Sequence, residues 1–159
     1  DEGKKPKEVT KSKIFDQKGF PFKLISLEYN LRIVVISSKN IKKNQDPHLV
    51  CSVRTSFDSA VTSWDKNEQW NQSFSLNVYS PSETLTITVT KIEDYRGVDV
   101  ATAEINLSSL VLDVTTDKEY DLIPVNDNDN DKGGKIHLKL CLCKTKNIES
   151  IDNLMLGLI

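Results

Sequence analysis

The feature that most constrains this fold is a strict alternation of apolar and hydroxyl side chains near the middle of the chain. The alternating residues are Leu85, Thr86, Ile87, Thr88, Val89 and Thr90. A period of two residues places all the apolar side chains on one side of a β-strand, and threonine is itself a good strand former. The segment therefore predicts a strand that buries one face and leaves the other face in contact with water.

Seven further segments have the length and residue types of short strands. They lie at 31–36, 49–53, 59–64, 73–78, 100–107, 119–125 and 136–143. The first of these is apolar on both faces, which is typical of a central strand. Turn-forming residues such as Pro81 and the pair Gly133–Gly134 separate the segments. Eight short strands with almost no helical periodicity predict an all-β protein, an eight-stranded antiparallel Greek-key β-sandwich.

The apolar positions of these strands predict the core. We expect one set of residues to be largely buried: Trp70, Phe74, Leu85, Ile87, Val89, Leu138 and Leu140. These residues come from several strands, as the core of a sandwich requires, because both sheets bury their inner faces.

Two segments outside the strands have a different composition. Residues 1–22 form a lysine-rich N-terminal extension, and we expect the sandwich itself to span 23–145. In the C-terminal extension, 146–159, apolar residues recur at near-helical spacing: Ile148, Ile151, Leu154, Met155 and Leu158. This segment predicts either a short helix that packs on the sandwich or the start of an element that belongs to a longer parent protein.

Composition and motif content exclude several functions. The formal net charge of −2 argues against a domain that binds nucleic acid through a broad basic field. Three cysteines without framework spacing argue against a disulfide-rich secreted domain, so we expect buried thiols in a cytosolic protein. No zinc-binding spacing and no catalytic or phosphate-loop motif is present. We therefore expect no enzymatic activity, no cofactor and no bound metal.

Several stretches, taken in order, resemble the C2 domain family. The stretches are 31–35 followed by 39–41, then 46–50, 67–74, 85–89 followed by Asp99, and 133–136. C2 domains are eight-stranded sandwiches that are common in lipid signalling and membrane traffic. The Gly133–Gly134 pair before the last strand resembles the circular variant in which 31–36 is the first strand. In the alternative variant, residues 24–29 would form an extra first strand.

The resemblance implies a calcium site at one end of the sandwich, but this sequence departs from the family's pattern of acidic ligands. Loop one (39–46), loop two (64–67) and loop three (91–99) would meet at that end. The family supplies acids from loops one and three, because calcium binds about six to eight oxygen atoms. The first acid of loop one is missing here, and Lys91 stands where loop three should begin with an acid.

The residues that remain define a degenerate calcium site. They are Asp46, Lys91, Glu93 and Asp99. An ammonium group repels a divalent cation and can instead pair with acids, so we expect Lys91 to bind Asp46 and Asp99. The sequence therefore predicts a site that does not hold calcium, with residual calcium-dependent lipid binding as the alternative.

Basic and aromatic residues of the same loops are the candidates for lipid binding. They are Lys39, Lys42, Lys43, Tyr95 and Arg96. Lysines near an anionic leaflet contribute about 1 kcal/mol each, and tyrosine favours the membrane interface. Three acids on a neighbouring turn, Asp127, Asp129 and Asp131, should oppose this attraction.

Two functions of different classes are consistent with these observations. The first is a non-catalytic module of a larger, cytoplasmic protein that docks weakly and peripherally on anionic phospholipid without calcium, with loop one towards the membrane. The second is a protein-interaction or scaffold module that binds no lipid and uses a sandwich face or an exposed strand edge. The sequence does not predict an oligomeric state.

Overall fold

The computed structural model describes residues 28–41, 48–126 and 133–145. Within these ranges the chain forms nine strands. They are β1 (Tyr29–Lys39), β2 (His48–Arg54), β3 (Ser59–Val61), β4 (Gln69–Val78), β5 (Thr84–Glu93), β6 (Arg96–Asn106), β7 (Thr116–Asp121), β8 (Ile123–Pro124) and β9 (Lys135–Lys144). A single turn of 3-10 helix, Leu107–Ser109, follows β6. No helix in the described ranges is long and apolar enough to cross a bilayer.

The strands form two antiparallel sheets, which confirms the all-β sandwich. One sheet has the order β4-β1-β9-β7, and the other has the order β3-β2-β5-β6-β8. β1 pairs with β4 on one side and with β9 on the other, as its apolar faces predicted. The alternating segment 85–90 forms part of β5, which lies in the middle of the second sheet between β2 and β6.

The prediction of a single strand at 119–125 is wrong in one respect, because these residues contribute to two strands that lie in different sheets. β7 pairs with β9 in the four-stranded sheet, whereas β8 pairs with β6 in the five-stranded sheet. Between them, Leu122 is buried and its backbone NH donates to the carbonyl of Gly134 at 2.8 Å. The chain turns a corner at Leu122, and Pro124 is tolerated in β8 because β8 is an edge strand.

The core lies between the two sheets, as predicted for six of the seven named residues. Leu85, Ile87 and Val89 are inaccessible to solvent, and Trp70 is 7% exposed. Leu138 and Leu140 of β9 are also fully buried. Phe74 departs from the prediction and is only partly buried, although it packs against the core from β4.

The glycine pair before β9 allows close packing against two neighbouring segments. A Cβ atom on Gly133 would lie 2.2 Å from the carbonyl oxygen of Leu122. Gly134 has φ +86°, and a Cβ atom there would lie 2.4 Å from the carbonyl oxygen of Lys39. Side chains are therefore excluded at both positions by backbone contacts. Residues 24–27 lie outside the described ranges, so the connectivity variant stays a prediction.

One end of the sandwich is closed by the carboxylate of Glu83. It accepts hydrogen bonds from the backbone NH groups of Ser56 at 2.8 Å, Ser80 at 3.0 Å and Tyr79. Burial alone would raise the pKa of Glu83, but these backbone donors hold the pKa below its usual value. The carboxylate thus joins the β2–β3 and β4–β5 connections, and we call this end the clamped end.

Candidate functional site

The opposite end of the sandwich gathers the predicted loops, and we call it the loop end. Here Lys39 at the end of β1 pairs with Lys135 at the start of β9. Ser37 pairs with Gln69 at the start of β4, and His48 pairs with Ile92 near the end of β5. The predicted site residues Lys42, Lys43 and Asp46 lie outside the described residues, as do Asp127, Asp129 and Asp131.

The segment predicted as loop three is not a loop but the end of a tight β-hairpin. β5 continues to Glu93 and β6 begins at Arg96, so only Asp94 and Tyr95 form the turn. Both turn residues have positive φ angles, 49° and 64°. Two consecutive residues of this conformation are typical of the type I′ hairpin turn, whose twist matches that of the strands. The prediction failed because the turn lacks the Asn-Gly or Asp-Gly pair that usually marks it.

Lys91 lies at the mouth of the sandwich, on the core-facing side of β5. In the register it is opposite Leu49 on one side and Val98 on the other, and its side chain is 14% exposed. Its ammonium nitrogen lies 3.1 Å from a carboxylate oxygen of Glu93. This pair replaces the predicted contact with Asp99, because two residues along one strand point to the same face.

Asp99 points to the other face of the sheet. Its carboxylate accepts a hydrogen bond from the Thr90 hydroxyl at 3.0 Å, across the β5–β6 pair. The three loop-three residues named from the sequence are therefore divided between the two faces of the hairpin. Among the described residues, no group of three or more His, Cys, Asp or Glu side chains is arranged to hold a metal ion.

Loop two is held in place by hydrogen bonds. A carboxylate oxygen of Asp65 accepts from the backbone NH groups of Asn67 at 2.8 Å and Gln69 at 3.0 Å. Glu68, which is buried and has a φ of 59°, accepts a hydrogen bond from the Ser38 hydroxyl at 2.7 Å. This loop is therefore preorganised against β1 and presents its first residue, Trp64, to solvent.

Four exposed apolar side chains lie at the loop end, on both faces of the five-stranded sheet, and we call this set the apolar rim. It consists of Trp64, Ile92, Tyr95 and Val98, whose exposures are 53%, 37%, 104% and 42%. The Trp64 ring stacks on the imidazole of His48 with centroids 4.1 Å apart, and His48 is the register partner of Ile92. Trp64 and Ile92 therefore both lie next to His48, on one face of the five-stranded sheet.

Sequence reasoning found only part of this rim. Tyr95 was expected at the interface, but Trp64 and Ile92 were not. Ile92 lies two residues beyond Thr90, on the face of β5 that the threonines occupy, so its exposure could have been expected from the alternation. The position of Trp64 beside His48 depends on the pairing of β2 with the loop-two segment, which the sequence does not reveal.

Basic side chains on the other half of the loop end are neutralised by acids of β7. Lys39, a predicted lipid-binding residue, lies 3.0 Å from Glu119. Lys135 forms an ion pair with Asp121, which lowers the pKa of Asp121 and raises that of Lys135 through a hydrogen bond and charge attraction. Arg96 is exposed at the hairpin next to Tyr95. The described part of the loop end therefore carries little net positive charge.

Comparison with known proteins identifies the class. The C2 domain model matches residues 29–122, so this chain belongs to the C2 domain family. No curated protein sequence matches the chain significantly. A single C2 domain of plant Extended Synaptotagmin 1 has a similar structure, with a TM-score of 0.62 and 20% identity over 74% of this chain and 95% of that one.

Two other solved structures show the same fold. The calcium-bound pair of C2 domains of Extended-Synaptotagmin 2 has a TM-score of 0.62 and 16% identity, covering 81% of this chain and 51% of that one. Human GIVD cytosolic phospholipase A2 has a TM-score of 0.59 and 10% identity, covering 74% of this chain and 18% of that one. C2 domains are generally non-catalytic modules, and the similarity to the phospholipase is a similarity of fold.

Proposed function

We propose that this C2 domain docks peripherally on anionic phospholipid membranes without calcium, as a non-catalytic module of a larger cytoplasmic protein. The observation that carries the proposal is the position of Lys91. Its ammonium group occupies the mouth of the sandwich, where the family resemblance implies a calcium ligand, and it is paired with Glu93. A fixed cation at this place both repels calcium and removes the need for it.

The apolar rim supplies the second part of the proposal. Tryptophan and tyrosine side chains partition favourably into the membrane interface. Trp64 and Tyr95 are exposed on the same end of the sandwich, and hydrogen bonds to Asp65 keep the Trp64 loop in place. Docking therefore needs no ordering of this loop by an ion, which lowers its entropic cost.

Electrostatic attraction comes from loop one in this proposal. Lys42 and Lys43 of loop one lie outside the described residues, and with Lys39 they form a tight basic cluster in the sequence. Lys39 is already paired with Glu119, which leaves Lys42 and Lys43 as the main source of attraction. Each contributes about 1 kcal/mol near an anionic leaflet, so binding should be weak and sensitive to salt.

Vesicle co-sedimentation tests this proposal. Phosphatidylcholine vesicles with about 30 mol% phosphatidylserine should sediment the wild-type protein equally in calcium and in chelator, and less at high salt. The double variant Lys42→Glu and Lys43→Glu should lose sedimentation. A control with the same change in charge at the clamped end, Arg54→Glu and Lys144→Glu, should retain it. Binding that appears only with calcium, or no binding even at low salt, would contradict the proposal.

A specific observation also favours the alternative of a protein-binding module. Within the described ranges β4 has a strand neighbour on one side only, and β4 contains no charged residue. The opposite edge strand of this sheet, β7, is protected by Asp117, Lys118, Glu119 and Asp121. At Asn77 the backbone NH of this edge already donates to the Asp58 carboxylate, but the rest of the strand is suited to the addition of an extended peptide strand. If the vesicle experiments fail, substitution of Ser75 by proline should abolish any partner binding through this edge.

A further inference from the structure

Within the described ranges, one outer face of the sandwich carries little charge. The outward side of the five-stranded sheet is the side of Thr86, Thr88 and Thr90, which alternate with buried core residues of β5. The register extends the Thr88 position across all five strands, in one row of five residues: Val61, Ser52, Thr88, Thr102 and Ile123. Directly opposed residues lie on the same face of a sheet, so this row is an uncharged strip about 19 Å wide.

Towards the loop end, the next two rows continue this surface. Thr90 is opposite Asp99, and its hydroxyl donates to the Asp99 carboxylate at 3.0 Å. Ile92 is opposite His48, on which the Trp64 ring stacks. Among the described residues of the three rows, Asp99 supplies the one carboxylate. We call the rows of Thr88, Thr90 and Ile92 the low-charge face.

Charged residues surround this face but are not spread evenly over the molecule. Arg54 and Glu104 flank Thr86 on the row towards the clamped end. On the outer face of the other sheet, three successive β7–β9 register pairs join an acid to a basic or imidazole side chain: Asp117 with Lys139, Glu119 with His137, and Asp121 with Lys135. The low-charge face instead exposes Val61 and Ile123, at 56% and 64%. Exposed apolar side chains on an uncharged surface are typical of an interaction site.

We propose that the low-charge face lies against the phospholipid interface, so that the domain docks tilted onto this face rather than on the loop end alone. The inference rests on the proposed membrane docking and adds its orientation. Trp64 stands where the loop end meets the low-charge face, and tryptophan favours the interfacial region of a bilayer. Hydroxyl and small apolar side chains enter that region without the cost of removing water from a charge.

The size of the face favours a membrane over a second copy of the chain. Three rows extend about 14 Å along the strands, so the face covers about 300 Å². A stable protein interface buries roughly 800 Å² on each partner. A bilayer sets no such minimum, and it can contact the apolar rim at the same time, because Ile92 belongs to both surfaces. The low-charge face and the rim therefore share one occupant.

Fluorophores at single positions test this orientation. The native cysteines are buried, so a cysteine introduced at an exposed position is labelled selectively by a polarity-sensitive maleimide, and the wild type serves as the blank. Val61→Cys and Ile123→Cys mark the two ends of the Thr88 row, Tyr95→Cys marks the hairpin turn, and Ser73→Cys marks the exposed side of β4 in the other sheet.

The labelled variants are mixed with phosphatidylcholine vesicles that contain about 30 mol% phosphatidylserine, in chelator. Labels at Val61, Ile123 and Tyr95 should shift to the blue and be quenched by brominated lipid, whereas the label at Ser73 should not respond. A response at Tyr95 alone would mean docking on the loop end only, which overturns the inference and leaves the proposed function intact. An equal response at Ser73 would also overturn it.

Two further outcomes of the labelling experiment would overturn the proposal. If the protein does not bind these vesicles at low salt, the proposed function and the inference both fail. If the labels at Val61 and Ile123 respond to rising protein concentration without vesicles, a second copy of the chain occupies the face instead.

Matched charge substitutions test the same surface without a label. Val61→Asp and Ile123→Asp each place a carboxylate on an exposed edge-strand position of the five-stranded sheet, and Ser73→Asp places the same charge on the other sheet. Each of the first two should weaken vesicle partitioning by about fivefold or more, and Ser73→Asp by less than about twofold. Asp99→Asn should strengthen partitioning. Equal losses in the three aspartate variants would show that only net charge matters and would overturn the proposal.

Discussion

The two ends of the sandwich use their charged side chains in opposite ways. At the clamped end, the Glu83 carboxylate is directed inward and accepts hydrogen bonds from the backbone of two connections. At the loop end, ion pairs such as Lys91–Glu93 lie at the mouth of the sandwich, and Tyr95 is fully exposed. The clamped end is therefore held together by hydrogen bonds to its backbone, whereas the loop end leaves charged and aromatic side chains exposed to solvent.

Aromatic residues are exposed at both ends, but they differ in backbone conformation. Phe57 and Tyr79 at the clamped end contact each other edge to face, with ring centroids 5.8 Å apart. At the loop end, Tyr95 is fully exposed and lies in a turn in which its φ angle is 64°. A positive φ angle is unfavourable for tyrosine, so Tyr95 does not contribute its backbone conformation to stability and is a candidate functional residue.

The largest expected difference between the two ends concerns removal of one carboxylate from each. Glu83→Ala should reduce the free energy of unfolding by about 2–4 kcal/mol, because it leaves several backbone NH groups without an acceptor. Glu93→Ala should change it by less than about 1 kcal/mol, since its ion pair is exposed to solvent on the Glu93 side. Urea unfolding measures both, and equal losses would contradict the contrast.

Acidification should affect the clamped end through the same carboxylate. Because the pKa of Glu83 is lowered in the folded protein, its contribution is present above the ordinary glutamate pKa of about 4.3 and is lost as the pH falls through the lower folded value. The stability difference between the wild type and Glu83→Gln should therefore shrink below this pH. A difference that stays constant from pH 6 to pH 3 would show that the carboxylate is not involved.

A smaller effect, of opposite sign, is expected at the hairpin turn. Tyr95→Gly relieves the positive φ angle and should stabilise the fold by about 0.5–1 kcal/mol. The same change removes an interfacial side chain and should weaken vesicle binding. Tyr95→Asn, which also tolerates this conformation, serves as the polar control. Destabilisation by glycine, or unchanged vesicle binding, would mean that Tyr95 is not exposed for docking.

The sequence predicted the strands better than the geometry of the candidate site. Alternation identified β5 because its buried face depends only on local spacing, and the apolar faces of β1 identified a central strand. The corner at Leu122 was missed, because a strand that changes sheet has no local pattern of its own. The Lys91–Glu93 pair was missed because both residues were assigned to a loop, so they were not expected to share one face of a strand. The Trp64–His48 stack was missed because it depends on pairing between distant segments.

Fluorescence of the two tryptophans tests the central claim, that the loop end docks on membranes without calcium. Trp64 is 53% exposed in the apolar rim, whereas Trp70 is 7% exposed and donates a hydrogen bond to the carbonyl of Leu49. With anionic vesicles in chelator, the wild-type emission should shift to the blue and be quenched by brominated lipid, and Trp64→Phe should abolish both changes. An unchanged spectrum in the wild type, an equal response in the variant, or a response that requires calcium would contradict the claim.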